Sequence, residues 1–161
     1  LIDNIPNFPK EGVIFKDVTP LLTTKLDEVV TDMGKGIDWD QVDLVVGVES
    51  RGFILGAAMA IKFNKGFLPI RKKGKLPPPT ITEDYTLEYG VDTLEMRVNN
   101  SSTNIVLVDD VLATGGTLKA GANLCNRNNY HIQAVRMLIN LKFLNNAESE
   151  YDNLKSLLNY E

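Results

Sequence analysis

The 161-residue chain contains one cysteine and one histidine, and these scarcities exclude several kinds of site. A single thiol, Cys125, cannot form an intramolecular disulfide or a cysteine-clustered zinc site. His131 is the only imidazole, so a bound cation would take oxygen ligands, as Mg²⁺ does. Neither residue has partners at metal-binding or catalytic spacing, and we assign no role to them.

Long apolar runs and an excess of positive charge are also missing. No run approaches the roughly 20 apolar residues that cross a bilayer, and the opening LIDNIPNFPK has no signal-peptide pattern. A net charge of −4 disfavours duplex DNA as a partner. A hydrophobic content of 43% is ordinary for a globular protein. We therefore expect one domain over residues 1–161, cytoplasmic, with no nucleic-acid or membrane partner.

Apolar, β-branched runs alternate with helical segments along most of the chain. Strands are predicted at residues 44–48, 66–70, 105–108 and 131–140, with a last short strand near the C-terminus. Helices are predicted over GFILGAAMAIKF and LKAGANLCNRN, and a short one over KLDEVVTDM with Thr23 or Thr24 as its cap. This alternation predicts an α/β fold: a parallel sheet flanked by helices on both faces.

Two segments depart from this alternation. Residues 1–24 carry three prolines and are predicted to be an extended N-terminal hood. Residues 72–100 are polar and proline-bearing, which is typical of a functional lid or of a disordered segment. Within this lid, residues 86–89 and 93–97 could pair as a two-stranded ribbon. We expect residues 77–92 to bury little apolar surface and to be mobile when the site is empty.

The strongest motif is VLVDDVLATGGT, residues 106–117. A buried strand is followed by Asp109 and Asp110, and then by a loop of small residues that opens a helix. Free N–H groups at a helix N-terminus bind phosphate, and glycines let the backbone approach it closely. Adjacent carboxylates instead suit ribose hydroxyls or waters on Mg²⁺. The loop consists of Ala113, Thr114, Gly115, Gly116 and Thr117.

This motif resembles the signature of the type I phosphoribosyltransferase family, two acidic residues followed by a loop rich in threonine and glycine. The chain is most similar to the adenine phosphoribosyltransferase branch, because FPKEGVIFKD, VESRGFILGA, IRKKGKLP, YTLEYG and LEM match its pattern in order. The resemblance covers nearly the whole chain. It implies the type I phosphoribosyltransferase fold and a purine-salvage reaction of adenine with phosphoribosyl diphosphate, giving AMP and diphosphate. It also implies Mg²⁺ as cofactor and a homodimer.

The resemblance also assigns roles to the polar residues. The loop at residues 113–117 would hold the 5′-phosphate, and Asp109 and Asp110 would contact the ribose hydroxyls and Mg²⁺ through water. A second turn would hold the diphosphate, with a cis peptide bond before Ser50. The diphosphate ligands implied are Ser50, Arg51, Arg71 and Lys75. Taken alone, Ser50 could simply cap a helix, and the basic residues could form a solvated face.

The base site implied by the resemblance combines the hood and the lid. Phe15 would stack on adenine opposite Val111, while the backbone of Ile14 and Lys16 reads its edge. Glu88 would meet purine N7 when the lid closes, with Tyr89 beside it in the lid. On residue type alone, Phe15 could equally be a core aromatic and Glu88 a solvated carboxylate.

Two other functions remain open from the sequence. One is a related transferase that uses a 6-oxopurine. The other is a non-catalytic regulator that senses phosphoribosyl diphosphate or a purine. A regulator would need a nucleic-acid-reading appendage or a basic face, and neither is visible in the sequence.

Overall fold

The computed structural model describes residues 1–87 and 90–161, and a seven-stranded sheet organises them. The strands are β1 (Asp3–Pro6), β2 (Ile14–Asp17), β3 (Leu44–Val48), β4 (Gly66–Lys72), β5 (Thr80–Leu87), β6 (Gly90–Arg97), β7 (Thr103–Leu112), β8 (Tyr130–Leu141) and β9 (Leu154–Tyr160). The helices are α1 (Thr19–Met33), α2 (Arg51–Lys62), α3 (Gly116–Arg127) and α4 (Ala147–Glu150). Short 3-10 turns occupy Trp39–Gln41 and Lys142–Leu144.

The main sheet has the strand order β5-β6-β4-β3-β7-β8-β9. The five neighbouring strands β4, β3, β7, β8 and β9 are mutually parallel. Strand β6 runs antiparallel to β4, and β5 runs antiparallel to β6. Helices cover both faces, which explains why the central strands are continuous apolar runs rather than alternating ones. The predicted fold class, a parallel sheet flanked by helices, is confirmed.

Side-chain alternation along the central strands divides the core into two layers. Val45 and Val106 face α1 and α2, where Leu55 and Met59 are completely buried. The neighbouring residues of each strand point to the opposite face. Leu107, for example, belongs to the second layer, where it packs with the buried Leu124 of α3. Since successive residues of a strand face opposite sides, each β-branched pair in the sequence contributes to both layers.

Helix α1 begins earlier than the sequence predicted. It starts at Thr19 with Pro20 in its first turn, a position that suits proline because the missing N–H would have no helical partner. Thr23 and Thr24 therefore lie inside the helix, where both hydroxyls donate to the carbonyl of Pro20. Lys25 has non-helical backbone angles and marks a kink. The prediction that Thr23 or Thr24 caps the helix is wrong.

Strands β5 and β6 form a longer ribbon than predicted, with Thr80 opposite Arg97 at its base. Leu94 and Met96 of β6, which follow the stretch that was expected to bury little apolar surface, are almost fully buried against the α3 layer. Alternation explains this, since residues two apart face the same side of the ribbon. Glu83 of β5 also pairs with Arg127 of α3 at 2.8 Å. The base of the ribbon is therefore part of the core.

The N-terminal strands β1 and β2 form a separate antiparallel hairpin. It lies against the end of β9, where the ammonium of Lys16 is 4.2 Å from the ring centroid of Tyr160. Phe8, in the hairpin loop, meets the ring of Phe15 edge-on, with centroids 5.2 Å apart. Among the described residues, no helix has the length and apolar composition to cross a membrane.

Candidate active site

The site lies where the adjacent parallel strands β3 and β7 end. Each strand is followed by a turn that starts a helix, so the N-termini of α2 and α3 face the same edge of the sheet. This edge is where open α/β sheets bind ligands. A cavity of about 530 Å³ opens there. Its lining residues are Glu49, Ser50, Arg51, Lys72, Tyr85, Leu94, Asp109, Asp110, Val111, Ala113 and Thr117.

The loop at residues 113–117 carries unused backbone donors. Gly115 has φ +93° at the N-cap of α3, a left-handed conformation that favours glycine. In the part of the chain that the structure describes, the N–H groups of Thr114, Gly115, Gly116 and Thr117 donate no hydrogen bond. Their residues line a small depression of about 60 Å³. This arrangement is suited to an anion, because several free N–H donors lie close together at the positive end of a helix.

The two acidic residues lie within β7, which continues to Leu112 instead of ending at residue 108 as predicted. Asp109 and Asp110 are each 8% exposed. Burial raises the pKa of Asp109 well above its ordinary value, and the neighbouring Asp110 charge raises it further. The Oδ2 atom of Asp110 lies 2.5 Å from Nε of Arg51 but accepts no aligned hydrogen bond within the described residues. A buried carboxylate oxygen of this kind favours a polar ligand.

Close packing brings the α2 turn against the acidic pair. A Cβ at Gly52 would lie 3.0 Å from Oδ1 of Asp109 and 3.1 Å from the carbonyl of Val108, so only glycine fits without displacement. Ser50 occupies the N-cap position of α2 but makes no side-chain capping hydrogen bond. The peptide bond between Glu49 and Ser50 is cis, as expected from the resemblance.

Glu49 is a site residue that the sequence analysis missed. Its carboxylate, only 8% exposed, accepts hydrogen bonds from Lys75 Nζ at 2.6 Å, the Lys72 backbone at 2.8 Å and Arg71 Nη2 at 3.3 Å. Burial opposes its ionisation, but the hydrogen bonds from Lys75, Lys72 and Arg71 outweigh burial and lower the pKa of Glu49. The structure thus brings Arg71 and Lys75 to the Ser50 turn, where both are paired with Glu49. An acidic residue immediately before the turn was the available signal.

Arg51 connects the turn with the hood. Its guanidinium carbon lies 5.1 Å from the ring centroid of Phe15, which is half-buried, while Nε contacts Asp110. Ile14 is 63% exposed, and the ammonium of Lys16 is bonded to Asn4 at 2.6 Å. The structure therefore brings the hairpin residues and the α2 turn together, with Val111 in the cavity wall. Glu88 and Tyr89 lie outside the described residues.

The end of the ribbon opposite its base also reaches the cavity, through residues that were not predicted from the sequence. Lys72 Nζ lies 2.5 Å from Oδ2 of Asp92, and the hydroxyl of Tyr85 donates to the same oxygen at 3.1 Å. Burial raises the pKa of Tyr85, so its hydroxyl stays protonated at neutral pH. These contacts fix the ribbon beside the cavity wall.

Known proteins are similar to this chain in both sequence and fold. Residues 22–137 match the family described as phosphoribosyl transferase domain. An adenine phosphoribosyltransferase of Bdellovibrio bacteriovorus is 49% identical over 162 residues, covering 99% of this chain and 97% of the relative. The crystal structure of adenine phosphoribosyltransferase from Rhodothermus marinus has 36% identity and a TM-score of 0.89, covering 99% of this chain and 94% of that chain.

A third comparison concerns a structure with ligands. Adenine phosphoribosyltransferase from Saccharomyces cerevisiae, complexed with an imino-altritol bisphosphate and adenine, has 30% identity and a TM-score of 0.86, covering 98% of this chain and 94% of that chain. The matches extend over nearly the full length of both partners in every case. The chain therefore belongs to the phosphoribosyltransferase family and, within it, to the adenine phosphoribosyltransferases.

Proposed function

We propose that this site transfers the phosphoribosyl group of 5-phosphoribosyl 1-diphosphate to adenine, giving AMP and diphosphate in purine salvage. One observation carries the proposal most directly. The buried acidic pair Asp109 and Asp110 lies between two helix N-termini that open into one cavity. Two anion sites separated by carboxylates match a substrate with a phosphate at one end, a diphosphate at the other and ribose hydroxyls between them.

Each part of the sugar substrate has its own ligands in this proposal. The unused N–H groups at residues 114–117 bind the 5′-phosphate, and Asp109 and Asp110 accept hydrogen bonds from the ribose hydroxyls. Ser50 and Arg51 bind the diphosphate at the α2 N-terminus. Arg71 and Lys75 are held 3.3 and 2.6 Å from Glu49, beside that turn, and their charge stabilises the leaving group. Arg51 must release Asp110 for this binding mode.

Mg²⁺ fits the chemistry of the same residues. Asp110 offers a buried oxygen without an aligned donor, and hard oxygen ligands are what Mg²⁺ prefers. Within residues 1–87 and 90–161 no cluster of three metal-ligating side chains occurs, so the ion would be held mainly by the substrate and waters, with Asp109 or Asp110 in contact through water. When bound, Mg²⁺ would neutralise charge on the diphosphate.

The base is placed between Phe15 and Val111 in this proposal. Pro6 lies opposite Ile14 in the hairpin and has no N–H to donate, so the alternation of an antiparallel ladder favours hydrogen bonds at Ile5 and Phe15 instead. The carbonyl of Ile14 and the N–H of Lys16 then face outwards. The Ile14 carbonyl can accept a hydrogen bond from the N6 amino group of adenine, and the Lys16 N–H can donate one to N1.

The reaction needs no covalent nucleophile from the chain. Adenine N9 displaces diphosphate from ribose C1 through an oxocarbenium-like transition state. The chain contributes orientation, through the phosphate loop and the acidic pair, and charge stabilisation of the leaving group, through Arg51 and its neighbours. Glu88 stabilises positive charge on the purine ring or accepts a proton from it when the lid, to which Tyr89 is also assigned, closes over the base. Lid closure also excludes water that would hydrolyse the substrate.

Replacing Phe15 with alanine tests the base site. Base stacking on an aromatic side chain contributes about 1–3 kcal/mol, so Phe15→Ala should weaken adenine binding about 5- to 150-fold. Calorimetry should find diphosphate affinity within about twofold of wild type, because that ligand is bound by backbone groups and cations. Phe143→Ala is the matched control, since Phe143 is 63% exposed. Equal loss of adenine and diphosphate binding would show that Phe15 is only a core residue.

A homodimer in the cytoplasm is the proposed assembly and location. Ile54 and Ile61 are 47% and 84% exposed, and their spacing of seven residues puts them on one face of α2. An apolar helix stripe of this kind suits burial against a second copy. Sedimentation velocity should give twice the mass of one chain, and a monomer at micromolar concentration would contradict the proposal. The buried, unpaired thiol of Cys125 is compatible with a reducing compartment.

A further inference from the structure

We infer that Asn145 is a positioning residue for the loop at residues 113–117, an inference that rests on the proposed role of this loop in binding the 5′-phosphate. Asn145 lies between β8 and α4 and lines neither the main cavity nor the small depression at the loop. Its Nδ2 atom donates to the carbonyl of Ala113 at 2.8 Å. Ala113 is the first residue of the loop, so this hydrogen bond holds the loop from outside the site.

The contact fixes the direction of a backbone donor. The peptide bond between Ala113 and Thr114 is not among the cis bonds of the described chain, and in a trans peptide the C=O and N–H groups point in opposite directions. With the Ala113 carbonyl held towards Asn145, the N–H of Thr114 points to the other side of the loop. The depression is lined by residues 113–118 and not by Asn145, so this N–H is expected to point towards it. Asn145 therefore orients the first of the loop's unused N–H groups.

Asn145 is itself held in one orientation. Its Oδ1 accepts the N–H of Ala147 at 3.0 Å, which determines which end of the amide carries the oxygen. Its Nδ2 also lies 3.0 Å from the carbonyl of Leu141 and 3.0 Å from Oδ1 of Asn140. Asn140 is completely buried at the end of β8. The chain of contacts thus anchors the phosphate loop to the buried end of β8, the strand beside β7.

The loop needs such an anchor because its own residues restrain it weakly. Gly115 and Gly116 have wide conformational freedom, and the loop N–H groups have no partners within the described chain. Without Asn145 the Ala113 peptide could rotate and turn its carbonyl, a negative dipole end, towards the phosphate. Preorganised donors cost no reorganisation when the ligand binds, whereas a mobile loop must be ordered at that moment.

The test measures binding of ribose 5-phosphate and inorganic diphosphate by calorimetry. Loss of one orienting hydrogen bond should make Asn145→Ala bind ribose 5-phosphate about tenfold more weakly, with diphosphate affinity within about twofold of wild type. Asn146→Ala is the matched control: the neighbouring amide is exposed, and its side chain makes no hydrogen bond in the described chain. Asn145→Leu, which retains volume without a donor, should show the same selective loss.

Steady-state kinetics and NMR distinguish positioning from general destabilisation. The KM for phosphoribosyl diphosphate should rise about tenfold in Asn145→Ala, while the KM for adenine stays within about twofold. The backbone amide resonance of Thr114 should shift when ribose 5-phosphate binds the wild type, and it should shift less in the variant at equal ligand concentration. A purely structural role would not produce this asymmetry.

Each outcome decides the inference. Wild-type affinity for ribose 5-phosphate in both Asn145 variants would overturn it. Equal weakening of ribose 5-phosphate, diphosphate and adenine, together with a lower melting temperature, would overturn it as well, because Asn145 would then only stabilise the fold. If the wild type itself fails to bind ribose 5-phosphate while the chain remains folded, the proposed phosphate site is wrong and the inference falls with it.

Discussion

Glu88→Gln should lower kcat by about 10²–10⁴-fold, the usual contribution of a general base. As N9 bonds to the sugar, the purine ring gains positive character, and a carboxylate at N7 can stabilise that charge or remove a proton. Glutamine keeps the shape of the side chain and loses the charge. Diphosphate affinity should stay within about twofold of wild type, because Ser50 and Arg51 are the proposed ligands of that group.

Rapid-mix kinetics at saturating substrates measures this effect, with calorimetry of diphosphate binding alongside. Asp84→Asn is the matched control, since Asp84 is an exposed carboxylate four residues before Glu88 in the sequence and its amide analogue can still accept the Thr93 hydroxyl. The control should retain wild-type turnover. Near-wild-type kcat in Glu88→Gln would reduce Glu88 to a positioning role and leave the reaction without a proton acceptor from this chain.

Asp109→Asn should change activity and stability in opposite directions. The substitution removes a carboxylate that is proposed to bind the ribose hydroxyls, and losing one preorganised electrostatic contact costs about 10²–10³-fold in kcat. The fold should nevertheless become more stable at neutral pH. Burial and the adjacent Asp110 raise the pKa of Asp109, so ionisation of Asp109 opposes folding, and asparagine removes that cost while its oxygen can still accept the N–H of Asp110.

The pH dependence follows from the direction of that pKa shift. Below about pH 4 the Asp109 carboxyl is protonated in both the folded and the unfolded chain, so its destabilising effect is absent. As the pH rises towards the raised folded pKa, only the unfolded chain ionises freely, and wild-type stability falls. The gain in melting temperature from Asp109→Asn should therefore grow between pH 4 and neutrality. Asp152→Asn, at an exposed carboxylate, is the matched control for the amide substitution itself, and a gain from Asp109→Asn that does not depend on pH would contradict the assignment.

The sheet was predictable because its signals are local. Residues 44–48 and 105–108 are continuous apolar runs, and each is followed by a turn and a helix. The early start of α1 was not predicted because proline usually interrupts a helix, and the sequence does not show that Pro20 lies in the first turn, where proline is favourable. The burial of Leu94 and Met96 was missed because it depends on α3, which follows them by some twenty residues.

Some residues of the candidate site could likewise be predicted from the sequence, whereas others are brought together only by the fold. The loop at residues 113–117 and the acidic pair are contiguous in sequence, so their shared role can be proposed from the chain alone. Glu49 precedes the turn in sequence, but its partners are distant, and Asn145 has no local signal at all. Glu49 bonds to Lys75, 26 residues away, and Asn145 to Ala113, 32 residues away. The fold alone brings such pairs together, and their roles follow from hydrogen-bond geometry.

The choice of base tests the proposed function most directly. The purified chain should form AMP from adenine and phosphoribosyl diphosphate with Mg²⁺, measured spectrophotometrically beside hypoxanthine and guanine. Hypoxanthine presents the reverse donor and acceptor pattern to the backbone of Ile14 and Lys16, which leaves two groups unpaired beneath the bound base at about 1–3 kcal/mol each. We expect kcat/KM for adenine to exceed that for either oxopurine by at least about 30-fold. Equal use of hypoxanthine, or binding of the substrates without turnover, would contradict an adenine-specific transferase.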